Sequence, residues 1–389
     1  MELSVKTVID ILRRLPSKSL ARFKCVSRSW ALHVSDCRSP RLCTRTIGFF
    51  YQAIRTHAQI HFLFTSPEMV KENFDESVNF LHGCRLYIIA SSMGFLLCCE
   101  QEIYQRHYYV YNPVTRQYFA LPEVKTCTNH VEVGIKVQTC AKYVAIGFNC
   151  KLDDPISKDV ISFTIVRYKV PAESTVTIES FSSQTNAWTE ITLALENPLD
   201  FQPSFYHPSK WPKSGGAIEG VFYWLDFEPR INLYDSVNMC FWSLDLPDRL
   251  DYLHMRSLGV SGGILCFASM CCGLTVWQLK SNIRDRTALW DMKYTNLCVF
   301  EAFNTCPETL GLLHRCGLGH RINYNFDRDM VFHPYEPQIL IVLNIKEYGK
   351  FLMCYDMDNS SAKLVCNFGN RKTYTNIFPY EWQEWPLLL

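Results

Sequence analysis

The sequence predicts a mainly β-strand protein that begins with a small module of three short helices. Apolar residues recur at helical spacing mainly within the first 45 residues, and such periodicity is scarce beyond them. From there to the end of the 389-residue chain, short apolar runs alternate with turn residues, which is typical of an all-β domain. Aromatic residues make up 14% of the chain and favour strands, because flat rings pack well on a pleated sheet.

The first predicted helix lies at the start of the chain and ends at a proline. Val5, Val8, Ile9 and Leu12 recur at helical spacing, and Ile11 and Leu15 widen this apolar stripe. The residue before a proline avoids the α region, so the helix is expected to end at Leu15-Pro16.

Two further helices are predicted after this proline. Ser17 is a suitable N-cap for the second helix, which would bury Leu20 and Phe23. Val26 and Trp30 continue at helical spacing as a third helix. Three short helices bury little apolar surface alone, so this head is expected to need a partner or the rest of the chain to stay folded.

Charge is distributed unevenly along the chain. Residues 1–45 carry ten Lys and Arg against three acidic residues, a net charge of +7, and the remainder carries 29 against 35, a net charge of −6. A basic head on a mildly acidic body indicates an acidic partner for the head, although a solvated helix face remains an alternative. Because the whole chain has a net charge of only +1, we expect no nucleic acid or anionic membrane as partner.

The cysteines and the start of the chain predict an intracellular protein, cytoplasmic and/or nuclear. The 18 cysteines include no C-x-x-C pair, so neither a zinc ribbon nor a thioredoxin-type site is expected. The first ten residues lack the apolar core of a secretory signal, and the longest near-apolar run, Tyr87 to Cys99, is too short to span a bilayer as a helix. The thiols are therefore expected to serve as small core residues.

The body repeats two half-patterns. One is a glycine followed by an apolar strand, at Gly94, Gly220 and Gly263. The other is a strand, a polar turn opened by Asn, Asp or Ser, and then an aromatic residue that is expected to be buried. Such turns open at Asn112, Ser182, Asp235 and Asp356. The first three are 70 and 53 residues apart, which fits the four-stranded blades of a β-propeller with loop insertions.

The head resembles the F-box of plant F-box proteins, a helical module that binds the Skp-type adaptor of a cullin–RING ubiquitin ligase. The matching positions are Ile11-Leu12, Arg14-Leu15-Pro16, Lys18-Ser19-Leu20, Arg22-Phe23, Cys25-Val26-Ser27 and Ser29-Trp30. The resemblance implies an F-box over residues 3–45. It also implies an adaptor-binding surface formed by Leu3, Val8, Leu12, Leu15, Pro16, Leu20, Val26 and Trp30.

Residues 46–389 resemble the F-box-associated, kelch-like domain that follows plant F-boxes. The residues that carry this similarity are Tyr111 to Gln117, Leu121-Pro122, Phe181 to Ser183, Trp188, Gly220 to Leu225, Leu244 to Pro247, Val276-Trp277, Phe332 to Pro334 and Pro379-Tyr380. The resemblance implies a kelch-like β-propeller.

Motifs that could carry chemistry lack their usual context. The run from Gly259 to Gly263 matches G-x-S-x-G, but a strand rather than a helix is expected after it, so it is interpreted as a tight turn. His57 and His61 are four apart, and His314, Cys316 and His320 form a loose cluster, but neither group has a close acidic partner. We therefore expect no catalytic residue, no metal site and no cofactor.

The resemblance implies a non-catalytic substrate-recognition subunit of an SCF-type ubiquitin ligase. The F-box would bind the Skp-type adaptor and through it a cullin scaffold, and the propeller would bind an unidentified target protein for ubiquitination. The longest polar loops, at about 125–160 and 197–216, are where the target is expected to bind.

Two alternatives stay open. One is an enzyme on a propeller scaffold, such as a hydrolase or oxidase, which needs polar groups that converge at the central channel. The other is a ligase-independent interaction or carbohydrate-binding module. It is kept open because F-boxes usually begin with Leu-Pro-x-acid, where this chain has Leu3-Ser4-Val5-Lys6.

Overall fold

The fold is taken from a computed structural model of the chain. The described residues are 5–12, 29, 30, 33, 45–53, 60–64, 74–81, 83–100, 106–124, 145–152, 161–168, 174–195, 214–225, 229–247, 255–270, 273–306, 330–345, 349–369 and 375–382. Within these ranges the protein is almost entirely β-strand, which confirms the predicted fold class.

The described part of the chain contains two bounded helices and 23 strands. The helices are α1 (Val5–Leu12) and α2 (Val299–Thr305). The strands of the first half are β1 (Arg45–Ala53), β2 (Ile60–Phe64), β3 (Tyr87–Ser92), β4 (Phe95–Cys99), β5 (Tyr108–Asn112), β6 (Gln117–Ala120), β7 (Ala145–Leu152), β8 (Ile161–Tyr168), β9 (Thr175–Ser182) and β10 (Ala187–Ala194). Those of the second half are β11 (Ser214–Ile218), β12 (Val221–Leu225), β13 (Arg230–Asp235), β14 (Cys240–Asp245), β15 (Met255–Ser261), β16 (Ile264–Met270), β17 (Leu274–Leu279), β18 (Trp290–Leu297), β19 (Met330–Phe332), β20 (Gln338–Ile345), β21 (Gly349–Asp356), β22 (Ser361–Gly369) and β23 (Thr375–Trp382).

The described strands form six antiparallel units, as expected for the blades of a β-propeller. Blade 1 has the strand order β2-β1-β23. Blades 2 to 6 are the four-stranded meanders β3–β6, β7–β10, β11–β14, β15–β18 and β19–β22. Blades 3 and 4 also touch through a short parallel pairing of β7 with β11, which places Gly147 opposite Gly215.

The innermost strands of the six blades form a closed ring and run in the same direction. The Ser91 hydroxyl of β3 donates to the Pro379 carbonyl of β23 at 2.6 Å, and the Ser92 hydroxyl accepts from the Cys150 N–H of β7 at 3.1 Å. On the other side of the ring, the Ser257 hydroxyl of β15 donates to the Met330 carbonyl of β19 at 2.6 Å. Contacts of β12 with β15 and of β19 with β23 complete the circle.

The ring is closed by strands from opposite ends of the chain. β1 pairs antiparallel with β23, with Arg45 opposite Trp382 and Gln52 opposite Asn376. Gln52 also ties blade 1 to blade 2, because its side-chain amide donates to the Leu86 carbonyl at 2.7 Å and accepts from the Ile88 N–H at 3.0 Å. The N-terminal strands therefore complete the same blade as the C-terminal strand.

Both predicted half-patterns form the turns expected of them. Gly94, Gly220 and Gly263 have φ values of 81°, 83° and 79°, a left-handed conformation that glycine adopts without steric cost. They end the turns that connect the first and second strands of their blades. The run from Gly259 to Gly263 is likewise a strand end and a tight turn between β15 and β16, which confirms its interpretation.

In blades 2, 4 and 6, the turn between the third and fourth strands is fixed by the side chain that opens it. The Asn112 Oδ1 atom accepts from the N–H groups of Val114 and Thr115 at 2.9 and 3.2 Å. Asp235 and Asp356 accept in the same way from the residues two and three positions later. These side-chain bonds satisfy backbone donors that the hairpin leaves unpaired.

The aromatic residue after each turn behaves less uniformly than predicted. The indole N–H of Trp188 in blade 3 donates to the Pro122 carbonyl beyond blade 2, and that of Trp290 in blade 5 donates to the Asp245 carbonyl of blade 4. Each tryptophan thus links its blade to the outer strand of the preceding blade.

The equivalent residue of blade 2, Tyr118, is 47% exposed, so its predicted burial was wrong. The preceding unit is the three-stranded blade 1, and among the described residues the ring of Tyr118 packs on Phe80, at 4.9 Å between centroids. In blade 6 the position is held by the small Ala362.

A buried ion pair within blade 3 also contacts blade 2. Arg167 Nε lies 2.7 Å from Glu179 Oε2, with side chains 1% and 4% exposed. Arg167 Nη1 also donates to the Tyr108 hydroxyl of blade 2 at 3.1 Å. Removing one partner of such a pair leaves an uncompensated buried charge, which typically costs about 3–5 kcal/mol.

The burial of His333 provides a test of this fold. It is 7% exposed, and its Nδ1 atom accepts from the N–H groups of Tyr335 and Glu336 at 3.3 and 2.9 Å, so the ring is neutral. Burial lowers the pKa of His333 from 6.5 to about 4. Its stabilising contribution is complete above pH 6.5 and is lost as the pH falls from 6.5 towards 4, because the unfolded chain binds the proton first.

Between pH 6.5 and pH 4, the free energy of unfolding of the wild type should therefore fall further than that of His333→Asn. The difference between the two proteins should be at most about 3 kcal/mol. Asparagine can accept the same two N–H bonds, as Asn112 does in blade 2, but it does not titrate. Denaturant unfolding of both proteins across this pH range measures the difference. Parallel curves would contradict a buried neutral His333.

Candidate adaptor-binding helix and the two faces of the propeller

α1 holds two residues of the predicted adaptor-binding surface, Val8 and Leu12. Leu12 is 1% exposed and Val8 is half-buried, and the two lie one turn apart on the same side of the helix. Ile11, which was predicted to widen the apolar stripe, is 47% exposed. An exposed isoleucine beside a buried leucine gives α1 an apolar contact point on its outer side.

The other predicted adaptor-binding residues are described only in part. Trp30 is half-buried. Its backbone is helical, and so is the backbone of Ser29 and His33 in the predicted third helix. The Ser29 hydroxyl and His33 Nε2 lie 3.4 Å apart, one turn apart along this helix. Leu3, Leu15, Pro16, Leu20 and Val26 lie outside the described residues, so their role in adaptor binding stays a prediction.

The propeller has two faces that differ in their connections. We call proximal the face that carries the turns 93–94, 219–220 and 262–263, where the innermost strands end. We call the opposite face distal. Because Arg45 lies opposite Trp382 at the end of β23, β1 begins on the proximal face. The head is therefore joined to the propeller on its proximal face. The predicted domain boundary between residues 45 and 46 stays a prediction.

The proximal face is stiffened by hydrogen bonds between neighbouring blades. Arg284 of blade 5 reaches blade 4, where its Nε donates to Asp235 Oδ2 at 2.9 Å and its Nη2 donates to the Glu219 carbonyl at 2.6 Å. Burial alone would raise the pKa of Asp235, but the N–H groups of its own turn and Arg284 hold it below the ordinary value. The Gly262 N–H of blade 5 also donates to the Pro334 carbonyl of blade 6, at 2.8 Å.

The distal face receives the longest connections of the propeller. The segments 125–144, 196–213 and 307–329 lie outside the described residues, and each precedes an innermost strand, which begins at the distal face. The interpretation of 125–160 as one polar loop was wrong, because β7 lies within it and buries Ile146, Phe148 and Cys150. The predicted loop 197–216 likewise overlaps the start of β11 at Ser214.

No metal-binding arrangement is found within the described ranges. No three His, Cys, Asp or Glu side chains among them are grouped as metal ligands would be. His61 stacks on Tyr51, with ring centroids 5.1 Å apart, whereas His57, His314, Cys316 and His320 lie outside the described residues. No helix in the described part of the chain is long and apolar enough to cross a membrane.

The adjacent cysteines of β4 show how thiols are used in the core. Cys98 packs with Phe50 and Tyr111 on one side of blade 2, and Cys99 packs with Phe148 on the other, because neighbouring residues of a strand face opposite sides. Burial raises the pKa of the Cys98 thiol well above its ordinary value. The Cys98 thiol is therefore a protonated packing group rather than a nucleophile.

Two family models match the chain, one over the head and one over the propeller. One described as an F-box domain matches residues 1–42. The other is described as the beta-propeller of F-box protein At3g26010-like proteins and matches residues 66–308, which is more than half of the chain. The chain belongs to the F-box proteins with an At3g26010-like β-propeller.

Individual F-box proteins of Arabidopsis thaliana are similar over shorter stretches. F-box protein At5g03970 is 25% identical over 316 residues, which cover 77% of this chain and 65% of that protein. F-box protein At5g49610 is 27% identical over 225 residues, which cover 57% of each chain. The match thus spans less than two thirds of the length of these F-box relatives.

The burial of the cysteines in this F-box protein predicts a pattern of thiol labelling. In the native protein, N-ethylmaleimide should modify the exposed Cys84 and Cys298 at least about tenfold faster than Cys98, Cys99 and Cys150, because the thiolate must reach the reagent. Peptide mass spectrometry after timed labelling measures the ratio, and labelling in urea provides the unfolded control. Equal native rates would contradict the packing described for blades 2 and 3.

Proposed function

We propose that this F-box protein is the non-catalytic substrate-recognition subunit of an SCF-type cullin–RING ubiquitin ligase, acting in the cytoplasm and/or the nucleus. Its head binds a Skp-type adaptor, and through it a cullin scaffold, while its propeller binds a target protein for ubiquitination. The observation that carries the proposal is the F-box match over residues 1–42, followed within three residues by the first strand of a propeller.

A receptor of this kind works by proximity. Holding a target near the ubiquitin-loaded enzyme raises the effective concentration of its lysines, and no reacting group is needed on the receptor itself. Because the head is attached on one face of the propeller only, the two faces can serve different partners, the adaptor on one side and the target on the other. The head joins on the proximal face, so a target bound on the distal face is held away from the adaptor.

The exposed Ile11 supports adaptor binding through α1. Large apolar side chains that are exposed on a short helix are typical anchors for a partner protein. Val8 and Leu12, on the inner side of the same helix, fix the angle at which Ile11 is presented.

Replacing Ile11 with glutamate should weaken binding to a Skp-type adaptor by roughly tenfold or more, because the interface would have to desolvate a charge. Ile264→Glu is the matched control, since Ile264 is similarly exposed, at 41%, but lies on the propeller. Binding of the full-length variants to purified adaptor is measured by surface plasmon resonance. Leu15→Asp combined with Pro16→Ala should likewise abolish recovery of the adaptor in a pull-down.

Equal loss of binding in Ile11→Glu and Ile264→Glu would mean that α1 is not the adaptor-binding element. Failure of the wild-type protein to bind any Skp-type adaptor would remove the ligase assignment altogether. Identification of the target requires affinity purification with the ligase inhibited, so that ubiquitinated targets are not degraded.

A further inference from the structure

Glu381 places a carboxylate at the proximal mouth of the central channel. It is the penultimate residue of β23, the innermost strand of blade 1, and β23 ends on the proximal face. Its side chain accepts hydrogen bonds from the side chain of Tyr335 in blade 6 and from the Met93 N–H of blade 2. These two blades flank β23 on opposite sides. One side chain therefore reaches both of them around the inner edge of β23, through the channel.

Groups from the far side of the channel also lie near this carboxylate. Burial raises the pKa of the Cys150 thiol of blade 3 and of the Tyr223 phenol of blade 4, and the nearby charge of Glu381 raises both further. The Tyr223 hydroxyl lies against the innermost strand of blade 4, because a Cβ on Gly216 would lie 2.1 Å from it. Four other blades thus contribute groups around Glu381.

The carboxylate of Glu381 is enclosed by protein but is not packed in the core. Burial raises the pKa of Glu381, and this outweighs the hydrogen bonds from Tyr335 and Met93, which lower it. The residue nevertheless keeps part of its surface accessible to solvent. A group that faces a channel combines these two properties, because the walls restrict its solvation while the mouth stays open.

Glu381 has no cationic partner among the described residues. The ion pairs found there use Arg167, Arg230, Lys280 and Arg284, and all four bind other carboxylates. A carboxylate accepts about four hydrogen bonds, so the two described donors leave about half of this capacity unused. An enclosed carboxylate without a counter-charge attracts a cation that carries N–H donors, since ion pairing and hydrogen bonding together offset the poor solvation of the charge.

We infer that the proximal mouth of the central channel binds one guanidinium or ammonium group, which Glu381 holds, with the phenols of Tyr335 and Tyr223 beside it. A guanidinium suits the site best, because its planar fork matches a carboxylate in two parallel hydrogen bonds. The group belongs either to a small cation or to a basic side chain of a protein that contacts the proximal face. The site stands whether or not the head binds an adaptor.

Glu381→Gln tests the site, because glutamine keeps an oxygen that accepts from the Met93 N–H but carries no charge. The probes are methylguanidinium and the peptide acetyl-Gly-Arg-Gly-amide, and the same peptide with citrulline in place of arginine is the uncharged control. The full-length wild type should bind both arginine-like probes at least about tenfold more tightly than Glu381→Gln does, because the charge-assisted bonds are lost. Saturation-transfer nuclear magnetic resonance measures the dissociation constants.

Glu76→Gln is the matched control, since Glu76 is exposed next to Asp75, which contacts the proximal turn of blade 2. Equal affinity of the wild type and Glu381→Gln, equal weakening in Glu76→Gln, or equal binding of the citrulline peptide would overturn the inference. Binding of both probes with similar affinity supports a small cation as the occupant, whereas a peptide that binds at least about tenfold more tightly supports a protein side chain.

The acidity of Glu381 provides a second test that uses only the wild-type protein. A bound cation stabilises the carboxylate, so saturating methylguanidinium should raise the acid dissociation constant of Glu381 by about tenfold and leave that of Glu76 unchanged. Nuclear magnetic resonance of protein labelled with ¹³C at the glutamate carboxyl carbons follows both groups as the pH is varied. An acid dissociation constant of Glu381 that does not respond to the probe would overturn the inference, even if Glu381→Gln did not fold.

Discussion

The pairing of β1 with β23 is the constraint on which the rest of the structure depends. It joins Arg45 to Trp382 and closes the ring of innermost strands between blades 6 and 2. The two sides of the closing sheet are both packed: Phe50 lies against Phe62 and Tyr380 towards blade 2, whereas Phe49 lies with Leu340 and Leu352 of blade 6. The same pairing sets the face on which the head is attached.

Neighbouring blades contact each other through hydrogen bonds as well as apolar packing. The hydrogen bonds define the angle between one blade and the next. At the junction of blades 2 and 3, the Trp188 indole N–H binds the Pro122 carbonyl and Arg167 donates to the Tyr108 hydroxyl. At the junction of blades 4 and 5, the Trp290 indole N–H binds the Asp245 carbonyl and Arg284 binds Asp235. Apolar packing alone tolerates sliding of one sheet over another. The buried bond from Arg167 to Tyr108 does not, because a displaced donor there loses its partner without gaining water.

Much of the fold could be predicted from local sequence. Glycine at a left-handed turn position and asparagine or aspartate at a turn opening act through their own backbone, so their effect is readable from a few residues. β7 was missed because it is an innermost strand between polar segments, and its Gly147 has a reason that only the tertiary structure shows: a Cβ there would lie 2.5 Å from the ring of Phe222. The exposure of Tyr118 depends in the same way on the blade beside it.

The candidate site, like the fold, could be predicted where local sequence decides it and could not be predicted elsewhere. The order of residues from Ile11 to Trp30 was sufficient to identify the F-box, because the motif is short and contiguous. The sequence was not sufficient to predict which side of α1 faces outwards. Val8, Ile11 and Leu12 are all apolar, and periodicity alone assigns them to one stripe.

Closure by the last described strand has a consequence for biosynthesis. At about 5–20 residues per second, the ribosome needs tens of seconds to pass from Arg45 to Trp382. Throughout that interval β1 lacks its partner strand, and the apolar side chains of Phe49 and Phe50 have no closed ring to cover them. The head is complete long before the propeller, so a nascent chain presents its F-box while its propeller still needs protection from aggregation.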